Sequence, residues 1–220
     1  MKEDAFTEKR KQLVYFMKAS GAIESIELEN AFLKLKREVF FPQHMKEQAY
    51  SDNAFPIGFN QTISQPSTIA IMMELLDVKK GMKVLEVGAG SGYVCALLEE
   101  LVGEKGKVYG IELVKELFEQ AKKNLEVNGS KNIELFLGDG SKGLEEKALF
   151  DRILVSAACP FIPKPLFEQL NEKGRAVAPV GDSFSQQMMI MEKIKDKPFN
   201  RDSMKGFFVF VPLKGAYLKN

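Results

Sequence analysis

The sequence contains no tryptophan, a single histidine, two cysteines and no long hydrophobic run. Cys95 and Cys159 are widely separated and form no Cys-x-x-Cys pair, which argues against a disulfide scaffold and a cysteine-based zinc site. The uncharged apolar stretches are too short to cross a bilayer, and the charged first residues do not resemble a signal peptide. We therefore expect a cytoplasmic protein that has no metal site and no membrane partner.

Positive and negative charges nearly cancel in this sequence. It has 31 Lys and Arg residues and 30 Asp and Glu residues, for a net charge of +1. A dedicated nucleic-acid binder usually needs a basic face that neutralises phosphates, so we expect no nucleic-acid partner. The 220 residues, 45% of them hydrophobic, favour a single domain over residues 1–220. Residues 1–53 are predicted to form a helical extension of that domain. The pattern carries no signal for an oligomeric state.

The first part of the chain predicts two helices followed by a long loop. Apolar residues recur at helical spacing up to Gly21, and a second helix is predicted from Ile26 to Val39. Pro42 ends this pattern, because a residue that precedes proline is pushed out of the helical region. From there to Gln65 the chain mixes polar and apolar residues, which is typical of an ordered loop. Long loops of this kind are often functional.

The middle of the chain alternates strands and helices, which predicts an α/β fold with a doubly wound, mostly parallel sheet. Strands are predicted at residues 83–87, 107–111, 133–137 and 152–155, and helices at 66–76, 93–102 and 114–127. After about Gly174 three further strands are predicted at 176–180, 187–191 and 207–211. The last two have no helix between them, so they must be antiparallel or leave the sheet.

A glycine-rich turn lies where the first of these strands feeds the next helix. Glycines at positions 88, 90 and 92 allow a tight turn, and the helix N-terminus that follows offers unpaired N–H groups. The spacing differs from the G-x-G-x-x-G pattern of dinucleotide sites, and Glu86 stands two residues before the first glycine. A carboxylate there would repel a pyrophosphate but could bind the ammonium group of an amino-acid-like ligand.

Two more acids follow the next two strands. Glu112 is placed to accept hydrogen bonds from ribose hydroxyls, and Asp139, flanked by glycines, could take an exocyclic amine. Each acid alone is also typical of a solvated strand end or of a common turn. Together, the three outline an adenosine with an amino-acid head and no phosphates. The sequence therefore predicts S-adenosyl-L-methionine as the cofactor.

The motifs at residues 84–92 and 138–140 resemble those of class I methyltransferases. A narrower resemblance lies in Pro56–Pro66, which reads Pro-Ile-Gly-Phe-Asn-Gln-Thr-Ile-Ser-Gln-Pro and is similar to the signature of protein-L-isoaspartate O-methyltransferases. The match extends in order over about residues 10–215. The resemblance implies a Rossmann-like enzyme that methylates isoaspartyl-containing peptides and damaged proteins.

The resemblance also implies a set of site residues. Ser64 falls at the methyl-transfer centre. The cofactor contacts fall on Gln61, Thr62, Ile63, Glu86, Gly88, Ala89, Gly90, Gly92, Glu112, Leu113, Asp139 and Gly140. Leu113 departs from the family, which commonly has Arg or His there. The substrate contacts fall on Ile57, Gly58, Ala157, Ala158, Val211, Pro212 and Leu213.

Alternatives remain for Ser64 and for the activity. Ser64 stands two residues before a helix that begins at Pro66, so its hydroxyl could equally cap that helix. The same fold could methylate RNA or a small molecule, or could bind the cofactor without catalysis. An RNA enzyme would favour an Asn/Asp-Pro-Pro motif after the fourth strand, where this chain has Val155-Ser156-Ala157-Ala158. The intact segment Gln61–Pro66 argues against a module that has lost its activity.

Overall fold

The computed structural model describes residues 5–203 and 205–218. Helix α1 is Ala5–Ala19 and helix α2 is Ile26–Lys34. The prediction that α2 reaches Val39 is wrong, because Leu35 is extended (φ −78°, ψ 130°) and a separate 3-10 helix covers Arg37–Phe40. This break turns the Arg37 side chain into the protein interior, where 1% of the residue is exposed.

The predicted loop contains regular structure. A second 3-10 helix, Gln43–Gln48, is followed by a two-stranded antiparallel hairpin of β1 (Phe55–Gly58) and β2 (Gln61–Ile63). Phe59 and Asn60 at its tip have φ values of 53° and 57°. The hairpin escaped prediction because bulky residues such as Phe rarely adopt positive φ, so the turn carried no recognisable signal.

The predicted doubly wound sheet is confirmed. Helix α3 is Pro66–Leu76, and after it the strands and helices alternate as β3 (Lys83–Val87), α4 (Tyr93–Val102), β4 (Lys107–Glu112), α5 (Lys115–Asn128), β5 (Ile133–Leu137), β6 (Phe150–Val155) and α6 (Lys164–Glu168). Strands β5, β4, β3 and β6 lie side by side in that order and are parallel. Three C-terminal strands, β7 (Leu170–Gly181), β8 (Gln186–Ile194) and β9 (Lys197–Asp202), continue the sheet from β6 in that order, and β7 is parallel to β6. Among the elements from α3 to α6, the short α6 had not been predicted.

The C-terminal strands are antiparallel, but one of them lies elsewhere than predicted. They are β7 (Leu170–Gly181), β8 (Gln186–Ile194) and β9 (Lys197–Asp202). The strand predicted at residues 207–211 is wrong, because this segment makes only isolated pairings, at Phe208 and Pro212. Lys195 and Asp196 adopt positive φ and turn the chain so that β9 pairs with β8 at the edge of the sheet.

The strand order reverses at β3, whose neighbours β4 and β6 come later in the chain. Ligands of open α/β sheets bind in the crevice outside the carboxyl ends of the strands at such a reversal. Here β3 and β6 end at Val87 and Val155, which are paired with each other. The fold therefore predicts a ligand site at the loops that follow these two strands.

Across residues 5–203 and 205–218, none of the helices combines enough length with enough hydrophobicity to traverse a bilayer. In the same part of the chain, no group of three or more His, Cys, Asp or Glu side chains is placed to hold a metal ion.

Candidate active site

The glycine turn is held against the neighbouring strand by its own backbone. The amides of Gly88 and Ala89 both donate to Ile111 O, at 2.9 and 3.0 Å. Gly88, Gly90 and Gly92 have φ values of 88°, 53° and 85°, a conformation that side chains with a Cβ rarely adopt. The turn thus exposes backbone rather than side chains at the strand reversal.

Gly92 has a different role from the other two glycines. A Cβ at this position would lie 3.2 Å from Leu125 Cγ and 3.4 Å from Ala121 Cβ, both on α5. Gly92 therefore permits close packing of the turn on α5. Its predicted contact with the cofactor stays a prediction.

Glu112, at the end of β4, lies directly beside the glycine turn. Its Oε2 accepts a hydrogen bond from Gly90 N (2.8 Å) and its Oε1 accepts one from Val114 N (2.9 Å). The residue is 6% exposed and lines an open cleft together with Leu113. Each carboxylate oxygen has a second lone pair, so both can also accept from a ligand hydroxyl.

Glu86 is more deeply buried than Glu112. Its Oε1 accepts a hydrogen bond from Ser156 Oγ and its Oε2 accepts one from Cys95 Sγ, both at 2.8 Å. Burial raises the pKa of Glu86 to about 8, although the hydrogen bonds from Cys95 and Ser156 act in the opposite direction. Ser156 had not been predicted as a site residue. The signal for it was its position directly after β6, at the strand reversal.

The raised pKa of Glu86 makes the stability of the free protein depend on pH. The folded state keeps a proton that the unfolded chain releases above about pH 4.5, so the free energy of unfolding should fall as pH rises from about 4.5 to 8. Glu86→Gln does not titrate, and we expect it to flatten this slope. Denaturant unfolding at a series of pH values measures both slopes. Equal slopes in the wild type and in Glu86→Gln would contradict the raised pKa of Glu86.

Two adjoining clefts meet at the carboxyl ends of β3 and β6. The first, here called the glycine cleft, is lined by residues of the turn, the hairpin and β4, among them Gln61, Thr62, Gly88, Gly90, Glu112 and Gly140. The second, here called the aromatic groove, is lined by Ser64, Gln65, Thr68 and residues 207–211. Thr62 and Ser156 line both, so a ligand in one can reach a ligand in the other.

Ser64 lies next to this junction, in the wall of the aromatic groove, and does not cap α3. Asp52 has that role, because it accepts hydrogen bonds from Ser67 N and Ser67 Oγ, both at 2.8 Å, and from Gln65 Nε2 at 3.0 Å. The N-cap residue is Gln65. The capping alternative for Ser64 is therefore wrong. Within residues 5–203 and 205–218, the Ser64 hydroxyl has no hydrogen-bond partner, so it is available to a ligand.

Ile63 and Ala89 line a small space next to Ser64, and Glu86 lies in its wall. This space connects the buried carboxylate with the hairpin. The structure therefore brings most of the predicted cofactor residues to one place. Their contacts with a cofactor remain predictions.

The carboxylate of Asp139 accepts hydrogen bonds from its own turn and from the C-terminal segment. Its Oδ1 accepts from Ser141 N (2.9 Å) and Ser141 Oγ (2.7 Å), and its Oδ2 accepts from Ala216 N (2.9 Å). Partial burial raises the pKa of Asp139, but the hydrogen bonds from Ala216 and Ser141 outweigh it and hold the pKa below its usual value. Gly215 packs so closely on this carboxylate that a Cβ there would overlap it. The predicted contact with an exocyclic amine would have to share these oxygens.

Most of the predicted substrate residues also come together. Ala158 N donates to Val211 O (2.9 Å) and Leu213 N donates to Ala158 O (2.7 Å), so the tip after β6 is bound to the C-terminal segment. Ala157 lines the glycine cleft with Val211, Pro212 and Leu213. Ile57 instead lies against Gly90 and lines a separate cavity beside α5, and Gly58 is in the hairpin turn.

The chemistry of the glycine cleft fits S-adenosylmethionine. Glu112 offers two acceptor oxygens for the ribose hydroxyls, and the same oxygens would repel the phosphate oxygens of a pyrophosphate. The exposed Leu113 offers an apolar surface for a base. When bound, this cofactor supplies an electrophilic methyl group.

Comparison with known proteins agrees with this geometry. A family model described as "Protein-L-isoaspartate(D-aspartate) O-methyltransferase (PCMT)" matches residues 8–217. Protein-L-isoaspartate O-methyltransferase 2 of Archaeoglobus fulgidus is 47% identical over 213 residues, which are 96% of this chain and 95% of that protein. The protein-L-isoaspartate O-methyltransferase of Pyrococcus horikoshii is 46% identical over 218 residues, with 99% and 98% coverage.

Solved structures show the same fold. A protein-L-isoaspartate O-methyltransferase superposes with a TM-score of 0.85 at 32% identity, over 95% of this chain and 67% of that one. The putative enzyme of Plasmodium falciparum, solved in complex with S-adenosyl-L-homocysteine, superposes with a TM-score of 0.83 at 24% identity, over 94% and 99% of the two chains. The chain therefore belongs to the protein-L-isoaspartate(D-aspartate) O-methyltransferase family, an S-adenosylmethionine-dependent enzyme family.

Proposed function

We propose that this protein transfers a methyl group from S-adenosylmethionine to the free α-carboxylate of L-isoaspartyl residues in damaged proteins, and that Ser64 orients the acceptor. The cofactor would occupy the glycine cleft and the isoaspartyl segment the aromatic groove. The observation that carries the proposal is the unpartnered Ser64 hydroxyl in the wall of the aromatic groove, beside Thr62 and Ser156, which line both spaces.

The residues at the junction suit a carboxylate acceptor. A carboxylate is already ionised near pH 7, so the reaction needs no strong general base. Catalysis then depends on in-line positioning and partial removal of water. The Ser64 hydroxyl can donate one hydrogen bond to the acceptor without neutralising it. Its carbonyl accepts a hydrogen bond from Arg37 Nη2, whereas its hydroxyl is left for the substrate.

The aromatic groove also suits an extended peptide. Phe208 N and O pair with Gln186 O and N at 2.8 and 2.9 Å, and Phe210 N donates to Gln186 Oε1. Between them, the backbone N–H and C=O of Val209 have no partner in the described part of the chain. An extended segment can pair with such a backbone whatever its side chains are, which suits damage sites in many sequences. Phe207 and Val209 are 75% and 76% exposed and offer apolar contact.

A matched pair of peptides tests the activity. One peptide contains an L-isoaspartyl residue and its twin contains normal aspartate at the same position. We expect methyl transfer from labelled S-adenosylmethionine to the first only, because only the isoaspartyl linkage leaves an α-carboxylate free. Equal labelling of both peptides, or of neither, would contradict the proposal. A structured RNA and a mixture of small carboxylic acids provide the comparison with the two rival substrate classes.

The same proposal includes a single domain, no nucleic-acid partner and a cytoplasmic location. The free and buried state of Cys95 and Cys159 suits a reducing compartment. A continuous cluster of buried apolar residues joins α1 and α2 to α3 and α4, which supports one domain. Cell fractionation with an antibody against the protein would test the location.

A further inference from the structure

The Arg37 side chain is buried between the N-terminal extension and the candidate active site. Its guanidinium carbon lies 4.6 Å from the centre of the Tyr93 ring and 5.2 Å from that of the Phe41 ring. Tyr93 itself lines the small space beside Ser64 and Glu86. Arg37 is therefore one side chain away from this small space.

The guanidinium binds two backbone carbonyls. Its Nε donates to Ala49 O at 2.9 Å and its Nη2 donates to Ser64 O at 2.8 Å. Ala49 follows the second 3-10 helix and Ser64 follows β2, so these residues are the two ends of the segment that carries the hairpin. That segment supplies Gln61 and Thr62 to the glycine cleft. Arg37 thus joins both ends of the segment at its base.

The electrostatic setting of Arg37 is unusual for a structural residue. Of the described acidic side chains, none lies within ion-pairing distance of it, and burial lowers the pKa of its guanidinium below the usual value. An apolar side chain would fill the same space without the cost of burying a charge. Lysine could not replace it either, because only arginine has several N–H groups in a rigid planar fork that can reach two carbonyls at once.

We propose that Arg37 is a positioning residue for methyl transfer, which holds the two ends of the hairpin segment together and thereby places the Ser64 hydroxyl in the wall of the aromatic groove, next to the junction of the clefts. This inference rests on the proposed role of Ser64. It also assigns a function to the N-terminal extension. The extension supplies the cation that organises the active-site segment.

The test compares Arg37→Met with a matched control, Arg10→Met. Arg10 is also a buried arginine of the extension, but it donates to Tyr50 Oη and Leu33 O and makes no contact with Ser64. It also forms an ion pair with Glu38 at 3.5 Å, so its loss should lower stability. Turnover of the isoaspartyl peptide is measured at saturating substrate, at a temperature well below the melting point of each variant.

We expect Arg37→Met to lower kcat by about ten- to a hundredfold, because a small displacement of a positioning group has effects of this size. Arg10→Met should lower the melting temperature but keep kcat near that of the wild type. Arg37→Lys can reach only one carbonyl and should have an intermediate kcat. Hydrogen exchange of the amides in residues 55–63 should be faster in Arg37→Met and unchanged in Arg10→Met.

Three results would overturn the inference. These are a wild-type kcat in Arg37→Met, a loss of kcat that follows melting temperature equally in both arginine variants, and unchanged hairpin exchange in Arg37→Met. If Arg37→Met does not fold, Arg37→Lys decides by the same measurements. The proposed function fails separately, when the wild-type protein does not methylate the isoaspartyl peptide. In that case, hydrogen exchange of residues 55–63 still tests whether Arg37 holds the two ends of the hairpin segment together.

Discussion

Ser64→Ala should lower turnover by about 10- to 150-fold at saturating substrate, while the melting temperature and the affinity for S-adenosylhomocysteine stay nearly unchanged. The factor is that of one hydrogen bond to a charged group, about 1.5–3 kcal/mol. An interaction that is made mainly in the transition state appears in kcat. Stability should be unaffected because the hydroxyl has no partner in residues 5–203 and 205–218. Steady-state kinetics, thermal unfolding and calorimetric titration measure the three quantities.

Other substitutions at the same position make this test sharper. Ser64→Asp adds a negative charge beside the carboxylate of the substrate and should be the least active variant, whereas Ser64→Thr keeps the hydroxyl and should be the mildest. Asp52→Ala is the control for helix capping. It should cost about 0.5–2 kcal/mol of stability, because Asp52 holds the first turn of α3. Wild-type turnover in both the Ala and Asp variants of Ser64 would exclude the orienting role.

Glu112→Ala should raise the dissociation constant of S-adenosylhomocysteine by about 150-fold or more. The substitution removes two acceptor oxygens for the ribose, and each hydrogen bond to a charged group contributes about 1.5–3 kcal/mol. The same change also frees the amides of Gly90 and Val114, so the glycine turn loses a support. Calorimetric titration of the ligand measures the effect.

Two further variants separate ribose binding from support of the turn. Glu112→Gln keeps one acceptor oxygen and loses the charge, so its affinity should lie between those of the wild type and Glu112→Ala. Glu116→Ala removes an exposed acid from the first turn of α5, outside the cleft, and should bind like the wild type. Unchanged affinity in Glu112→Ala would show that the acid at the end of β4 does not contact the ligand.

The alternating part of the fold could be predicted because each element has its own local signal. These signals span only a few residues: the buried run Lys83–Val87, the turn glycines, and Pro66 at the first helical position. The structure places each corresponding element where its signal predicts it. The hairpin at residues 55–63 and the strand Lys197–Asp202 have no such signal. Both depend on tight turns whose ordinary residues adopt positive φ, at Phe59 and Asn60 and at Lys195 and Asp196.

The sequence by itself determined the parallel sheet and the identity of the cofactor, because strand tips and glycine spacing are short-range patterns, and its resemblance to known motifs at residues 56–66 indicated the family. Only the tertiary structure decided the partners of the side chains. It assigned the cap of α3 to Asp52 instead of Ser64, joined Ser156 and Cys95 to Glu86, and occupied Asp139 with the C-terminal segment. Contacts between residues far apart in sequence arise when the chain folds, and a spacing rule does not contain them. The Ser64 hydroxyl is left for a ligand because Asp52, and not Ser64, caps α3.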